Sequence, residues 1–200
     1  VHLAAQGVDI EQLGRLAGLP AGLFGARRDK IKLTTQQFFS LWRSLPQLND
    51  DPAFGLRLGG EAAPEHYDIA LVAALHSATL GEALQKVARY KRLVCPEELM
   101  QEEDGDSIRL HTRWTMSEAP APALLIDAMF AAITALCRRG TGLPLQPQAI
   151  ELTRRADAAS PLARYFGCPV TFNAPLDVLV FDRALMRQPF VTYNQAMLAV

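Results

Sequence analysis

The sequence predicts an α+β domain: a helical N-terminal part packed on an antiparallel sheet of about five strands, with helices on that sheet. Three observations predict it. Apolar residues recur at helical spacing from Asp9 to Val94. The pattern turns to period two around Asp104-Gly105-Asp106. Beyond that turn, strand-like and helix-like segments alternate through the rest of the chain. Of 200 residues, 50% are hydrophobic and 20% charged, enough apolar material for one packed domain over residues 1–200.

Asp9 is placed to cap a helix through IEQLGRLAG, which Gly18 and Pro20 end. Thr34 with Gln37 three residues later forms a capping box for TTQQFFSLWRSL. Phe38, Leu41, Trp42 and Leu45 then make one apolar stripe, and Pro46 stops the helix. In DPAFGLRLGG, Asp51 reads as the cap, Pro52 as the first helical residue and the paired glycines as the stop. Ile69, Val72, Ala73 and His76 share a face of a short helix, with Tyr67 at its start. Thr79 and Glu82 suggest a second capping box, opening a helix whose inner side carries Ala83, Val87, Tyr90 and Val94.

LMQEEDGDSIRLHTRWT reads as a hairpin. In its second strand Ile108, Leu110, Thr112 and Trp114 face one way, and Arg109, His111 and Arg113 the other. A long helix from about Pro122 to Arg138 follows, with Gly140 as its stop. QAIELTRR is a third strand, and SPLARYFG a short helix with Ser160 as cap. PVTFN and DVLVFD are two more strands joined by a turn at Asn173 to Leu176, and a last helix begins near Thr192.

A net charge of −1 gives no basic excess for capturing nucleic acid or an anionic membrane. The most apolar run, Ala119 to Cys137, carries Asp127 and reads as a buried helix rather than a membrane span. The three cysteines, Cys95, Cys137 and Cys168, are widely spaced, which fits a reducing compartment and a cytoplasmic protein. His66, His76 and His111 have no metal-ligand spacing, so no metal or other cofactor is expected.

Cys168 stands in FGCPV, after a short helix rather than at the start of one, where Gly167 supplies a left-handed cap. It reads as a small buried side chain and not as a nucleophile, which needs a nearby base and a lowered pKa. Asp127 is the single acid in a long apolar helix, and must reach water, a base or a ligand cation. The basic run Arg27 to Lys30 follows a segment that loosely mimics half a helix-turn-helix, but it reads better as a solvated loop. No phosphate loop, nucleophile elbow or zinc-protease motif occurs, and no catalytic residue is assigned.

Four stretches, GVDIEQLGRLAGLP, DPAFGLRLGG, LHSATLGEALQKVARYKRLV and IELTRRADAASPLARYFGCPVTFNAPLDVLVFDRALM, together resemble one family. It is the effector-binding and dimerisation domain of AraC-type transcriptional regulators, in the arabinose-binding branch rather than the cupin branch. The stretches come in the family's order and cover nearly the whole chain. The resemblance implies that the glycine-cysteine-proline turn is structural. It also implies a homodimer, a small-molecule effector, and DNA contact only through a C-terminal pair of helix-turn-helix units. The chain starts at Val1 and stops at NQAMLAV within a helical pattern, so that C-terminal domain is expected to lie outside it.

Effectors differ among such regulators, so the resemblance supplies no ligand set. From the residues alone, Tyr67, His76, Tyr90, Trp114 and Phe130 are the candidates, as large or polar-tipped groups on faces expected to be buried. The alternatives are a ligand-free dimerisation module and a small thiol enzyme built on Cys168.

Overall fold

The computed structural model describes residues 2–24, 32–62, 67, 69–157 and 160–198. The basic run Arg27 to Lys30, and His66, lie outside the described residues. The helices are α1 (His2–Ala5), α2 (Ile10–Leu16), α3 (Thr35–Ser44), α4 (Phe54–Gly60), α5 (Ile69–Leu75), α6 (Leu80–Val94), α7 (Ala123–Thr141) and α8 (Leu162–Phe166). The strands are β1 (Glu97–Asp104), β2 (Ser107–Trp114), β3 (Ala149–Leu152), β4 (Val170–Phe172) and β5 (Val178–Asp182). The class is α+β, as expected.

Local chemistry sets the starts of α2, α3 and α6, whereas α4 opens after Ala53 and α8 after Pro161 with no side-chain cap, which corrects the expected caps Asp51 and Ser160. Asp9 Oδ1 accepts from the Gln12 amide at 2.9 Å. At α3 the reciprocal box is complete: Gln37 N donates to Thr34 Oγ1 at 3.2 Å, and Thr34 N donates to Gln37 Oε1 at 2.9 Å. At α6 the box is displaced by one residue. Thr79 Oγ1 accepts from Glu82 N, but the Glu82 carboxylate accepts from Ala78 N.

The sheet runs β1-β2-β5-β3-β4. It is mixed, which corrects the antiparallel expectation: β3 and β4 pair in parallel, Ile150 opposite Val170. The reason is α8, which carries the chain across between them and returns it in the same direction. β4 and β5 are joined by a turn at Asn173, whose φ is 57°, yet they are not neighbours. β5 instead inserts between β2 and β3, antiparallel to both.

Helix α7 also differs from expectation. It passes through Gly140 and ends on Gly142, whose φ is 70°. Gly140 is needed for space, since a Cβ there would overlap the Phe190 ring. Likewise Gly59 and Gly60 do not stop α4 but lie within it, against Ala128 of α7 and Tyr165. The buried residues of α5 are Ala70 and Ala74, while Ile69 is 67% exposed. Small residues let α5 lie close on α6, Leu71 and Leu75 pack partly buried against the core, and Ile69 turns outward. On α3 the fully buried ring is Phe39, one position from the expected stripe. The last described element is a 3-10 turn, Gln195–Leu198, instead of a helix from Thr192.

The main core joins α6, α7 and the inner face of the sheet, with Leu84, Leu110, Phe130, Leu152, Phe166 and Phe181 fully or almost fully buried. A second cluster, including Val8, Leu13, Phe54 and Leu58, meets it at Ala128 of α7. The opposite sheet face is ionic. Arg109 forks onto Glu151 at 2.9 and 2.8 Å, His111 Nε2 meets Glu102 at 3.0 Å, and Arg113 Nε donates to Glu98 at 3.0 Å.

The Arg109 guanidinium bonded to Glu151 lowers that carboxyl below its ordinary 4.5. The stabilisation is therefore present above pH 4.5 and is lost as pH falls through the lowered folded value. Glu151→Gln is expected to reduce the melting temperature at pH 7 but to converge on the parent as pH falls below the lowered folded value. Melting curves across that range check the sign.

Candidate functional site

A cavity of about 340 Å³ lies between the helices and the sheet, at the lower end of the roughly 300–1,000 Å³ usual for small-molecule sites. Helix α7 supplies one wall through Leu125, Met129, Ala132, Ile133 and Leu136. These positions recur three or four apart, so a single stripe of the helix faces the space. Helix α4 adds Leu58 and Gly59, α6 adds Val87 and Lys91, and the sheet adds Glu97, Leu99 and Thr112.

The polar end is built by Glu97. It follows the Cys95-Pro96 turn that takes the chain from α6 into β1, and only 4% of it is exposed. Lys91 Nζ stands 3.7 Å from Glu97 Oε2, beyond direct hydrogen-bond length. The Cys95 thiol donates weakly to the same oxygen at 3.5 Å.

Of the residues singled out from the sequence, Tyr67 lines this cavity, with the Arg139 guanidinium 5.5 Å from its ring centroid. The other four lie elsewhere. His76 follows α5, with Nδ1 3.0 Å from the Thr192 carbonyl oxygen. Tyr90 is half-buried under Arg89. Trp114 packs on Phe38 and Phe39, ring centroids 5.8 and 4.9 Å away, and its buried Nε1 has no partner among the described residues. Phe130 is 1% exposed in the main core.

Sequence reasoning missed Glu97, Lys91 and the α7 stripe. The stripe was visible as a 3.6-residue repeat, but every face of α7 is rich in apolar residues. Glu97 is one of two adjacent acids, and only strand direction decides which points inward.

Asp127 is satisfied away from the cavity: Arg154 Nη2 donates to its Oδ1 at 2.7 Å, and Arg154 Nη1 donates to the Ala123 carbonyl at 3.2 Å. Burial still raises the Asp127 pKa, against the pull of Arg154. The thiols are poor nucleophiles. Burial pushes Cys95 and Cys137 up to about 12 and raises Cys168. Cys168 is 8% exposed within the core, and Gly167 before it has the left-handed φ of 71°. Among the described residues no His, Cys, Asp or Glu cluster could hold a metal ion. Nor is any described helix long and apolar enough to cross a membrane.

Fold and site together define an α+β domain in which helices and sheet wall a ligand-sized cavity. The family described as "Arabinose-binding domain of AraC transcription regulator, N-term" matches residues 7–190, and the chain belongs to that family. It is thus a regulatory domain of the AraC transcription-regulator class. Its fold is similar to the crystal structure of the transcriptional regulator CdpR from Pseudomonas aeruginosa, with a TM-score of 0.64 at 18% identity. The match covers 96% of this chain and 61% of the CdpR chain, so this chain spans about three fifths of that regulator. None of the curated proteins matches.

Proposed function

We propose that this domain binds a small-molecule effector in the cavity and dimerises, and thereby controls DNA binding by another part of its regulator. The observation that carries the reading is the 340 Å³ space inside the core of a regulator domain. The two helices that wall it also hold the segment Gln188 to Asn194. Leu80 N of α6 donates to the Gln188 carbonyl at 3.0 Å, and Val191 N donates to Gly140 O of α7 at 2.6 Å. Phe190 N donates to Ala78 O at 3.0 Å, and Thr192 Oγ1 to Leu75 O. An occupant that spreads α6 from α7 would change how this segment is held. Differential affinity worth about 1–3 kcal/mol is typical of such coupling.

Dimerisation is supported by large apolar side chains left in solvent on the α5–α6 pair: Ile69 is 67% and Leu93 75% exposed. DNA contact belongs to the rest of the regulator, and the cytoplasm is where such a protein would work.

Native mass spectrometry of the chain tests both halves. The expected species is a dimer carrying an added small mass. Ala132→Phe, which fills the space from the α7 wall, is expected to remain dimeric and lose that mass. A dimer with no added mass and no response to a metabolite panel would favour the ligand-free dimerisation module. A bare monomer would refute dimerisation by this domain.

A further inference from the structure

Strand β1 is an open edge of the sheet. It pairs on one side with β2 over its whole length, from Glu97 opposite Trp114 to Asp104 opposite Ser107. Thr115 N donates to the Pro96 carbonyl at 3.0 Å, which sets the phase of the ladder. Glu98, Met100, Glu102 and Asp104 therefore bond β2, while Glu97, Leu99, Gln101 and Glu103 turn their N–H and C=O groups to the free side. Edge strands are commonly blunted by brevity, a bulge, proline or lysine. β1 has eight residues in unbroken register, with neither proline nor lysine among them.

A groove of about 620 Å³ runs beside this edge. β1 lines it from Glu98 to Gln101, and α6 lines it with Gln85, Arg89 and Arg92. Those three positions and Leu93 form one exposed stripe of the helix. The strand itself ends in three exposed acids, Glu102, Glu103 and Asp104. Glu102 meets His111 and Glu103 meets Arg183 of the same chain, but more than half of each acidic side chain is exposed and can accept again.

A second copy of β1 fits this edge, and the acids select its register. Antiparallel self-pairing must set inward side chains against inward ones, so the two-fold axis is level with a residue. At Met100 the axis would oppose Glu98 to Glu102, and at Gln101 it would oppose Glu98 to Asp104. At Glu97, Glu98, Glu102, Glu103 or Asp104 it would oppose an acid to itself, and like charges directly opposite are destabilising. At Leu99 no acid meets an acid: Leu99 faces Leu99, Glu98 faces Met100 and Glu97 faces Gln101. The three terminal acids then run past Pro96 of the other copy to the last turn of its α6, where Arg92 stands.

We propose that the domain dimerises by joining two β1 edges about Leu99 into one continuous sheet, with the acids of each copy on Arg92 of the other. This rests on the proposed dimerisation and names its face.

Sedimentation of the chain over a concentration series, with two variants, tests it. Arg92→Glu changes an exposed side chain, and is expected to keep the fold and weaken the dimer at least about tenfold by charge repulsion. Gln101→Pro removes an edge N–H that β2 does not use, and is expected to leave the chain monomeric. If the proline variant does not fold, hydrogen exchange of the parent takes its place: the Leu99 and Gln101 amides should slow as concentration rises. Dimers of both variants as tight as the parent's, or edge amides whose exchange ignores concentration in a dimeric parent, would overturn the β1 interface and leave dimerisation to another face. A parent that stays monomeric at every concentration would overturn this interface and dimerisation together.

Discussion

Gly59→Ala is expected to destabilise the domain by about 3 kcal/mol, the upper range for forcing an atom into a packed core. In an exposed helix the same change would stabilise it by about 0.5–1 kcal/mol. The sign reverses because a Cβ at Gly59 would lie 2.6 Å from the Ala128 carbonyl carbon and 2.9 Å from its Cα. Those are backbone atoms of α7, so only a separation of the two helices relieves the overlap. At Gly60 the obstacle is the Tyr165 hydroxyl, the far end of a movable side chain. Gly60→Ala should therefore cost far less. For a chain of this length 1 kcal/mol moves the melting temperature by about 2–4 °C, so Gly59→Ala should lower it by about 6–12 °C. Thermal melts of the pair decide it, and a Gly59→Ala protein as stable as its parent would contradict the close α4–α7 contact. Because Gly59 also lines the cavity, the same shift should disturb binding there.

Phe130→Ala is expected to cost about 3–5 kcal/mol in denaturant unfolding, the usual range for emptying a buried phenylalanine site. Its ring is 1% exposed and packs in the main core rather than on the cavity wall. The folded variant should still carry the added small mass in native mass spectrometry, recorded at a temperature where it is fully native. Loss of that mass would move Phe130 from the core into the ligand site. Stability and binding together separate a core residue from a contact residue, which burial on its own does not.

Much of the fold was legible because it is local. Asp9, Thr34 with Gln37, and Thr79 cap their helices through side chains that reach the third residue on. Period-two alternation placed the hairpin with Gly105 at its turn. The αL glycine before Cys168 was readable from a helix end followed by proline. The site was less legible. Tyr67 stood out as a large polar-tipped group at the start of an apolar helix, whereas Glu97 and Lys91 look like ordinary surface charges.

What the sequence by itself determined was the class of fold, the starts of α2, α3 and α6, and the family. Each of these depends on residue type at short spacing. Only the tertiary structure decided that β5 inserts between β2 and β3, and that β3 and β4 run parallel. It alone made Gly59, Gly60 and Gly140 points of close approach instead of stops. It also left a space whose walls come from α4, α6, α7 and the sheet. The physical reason is the same in each case. A glycine's need for space, or a glutamate's need for a donor, depends on which distant atoms arrive beside it. Those arrivals follow from packing the whole chain, and no short spacing encodes them.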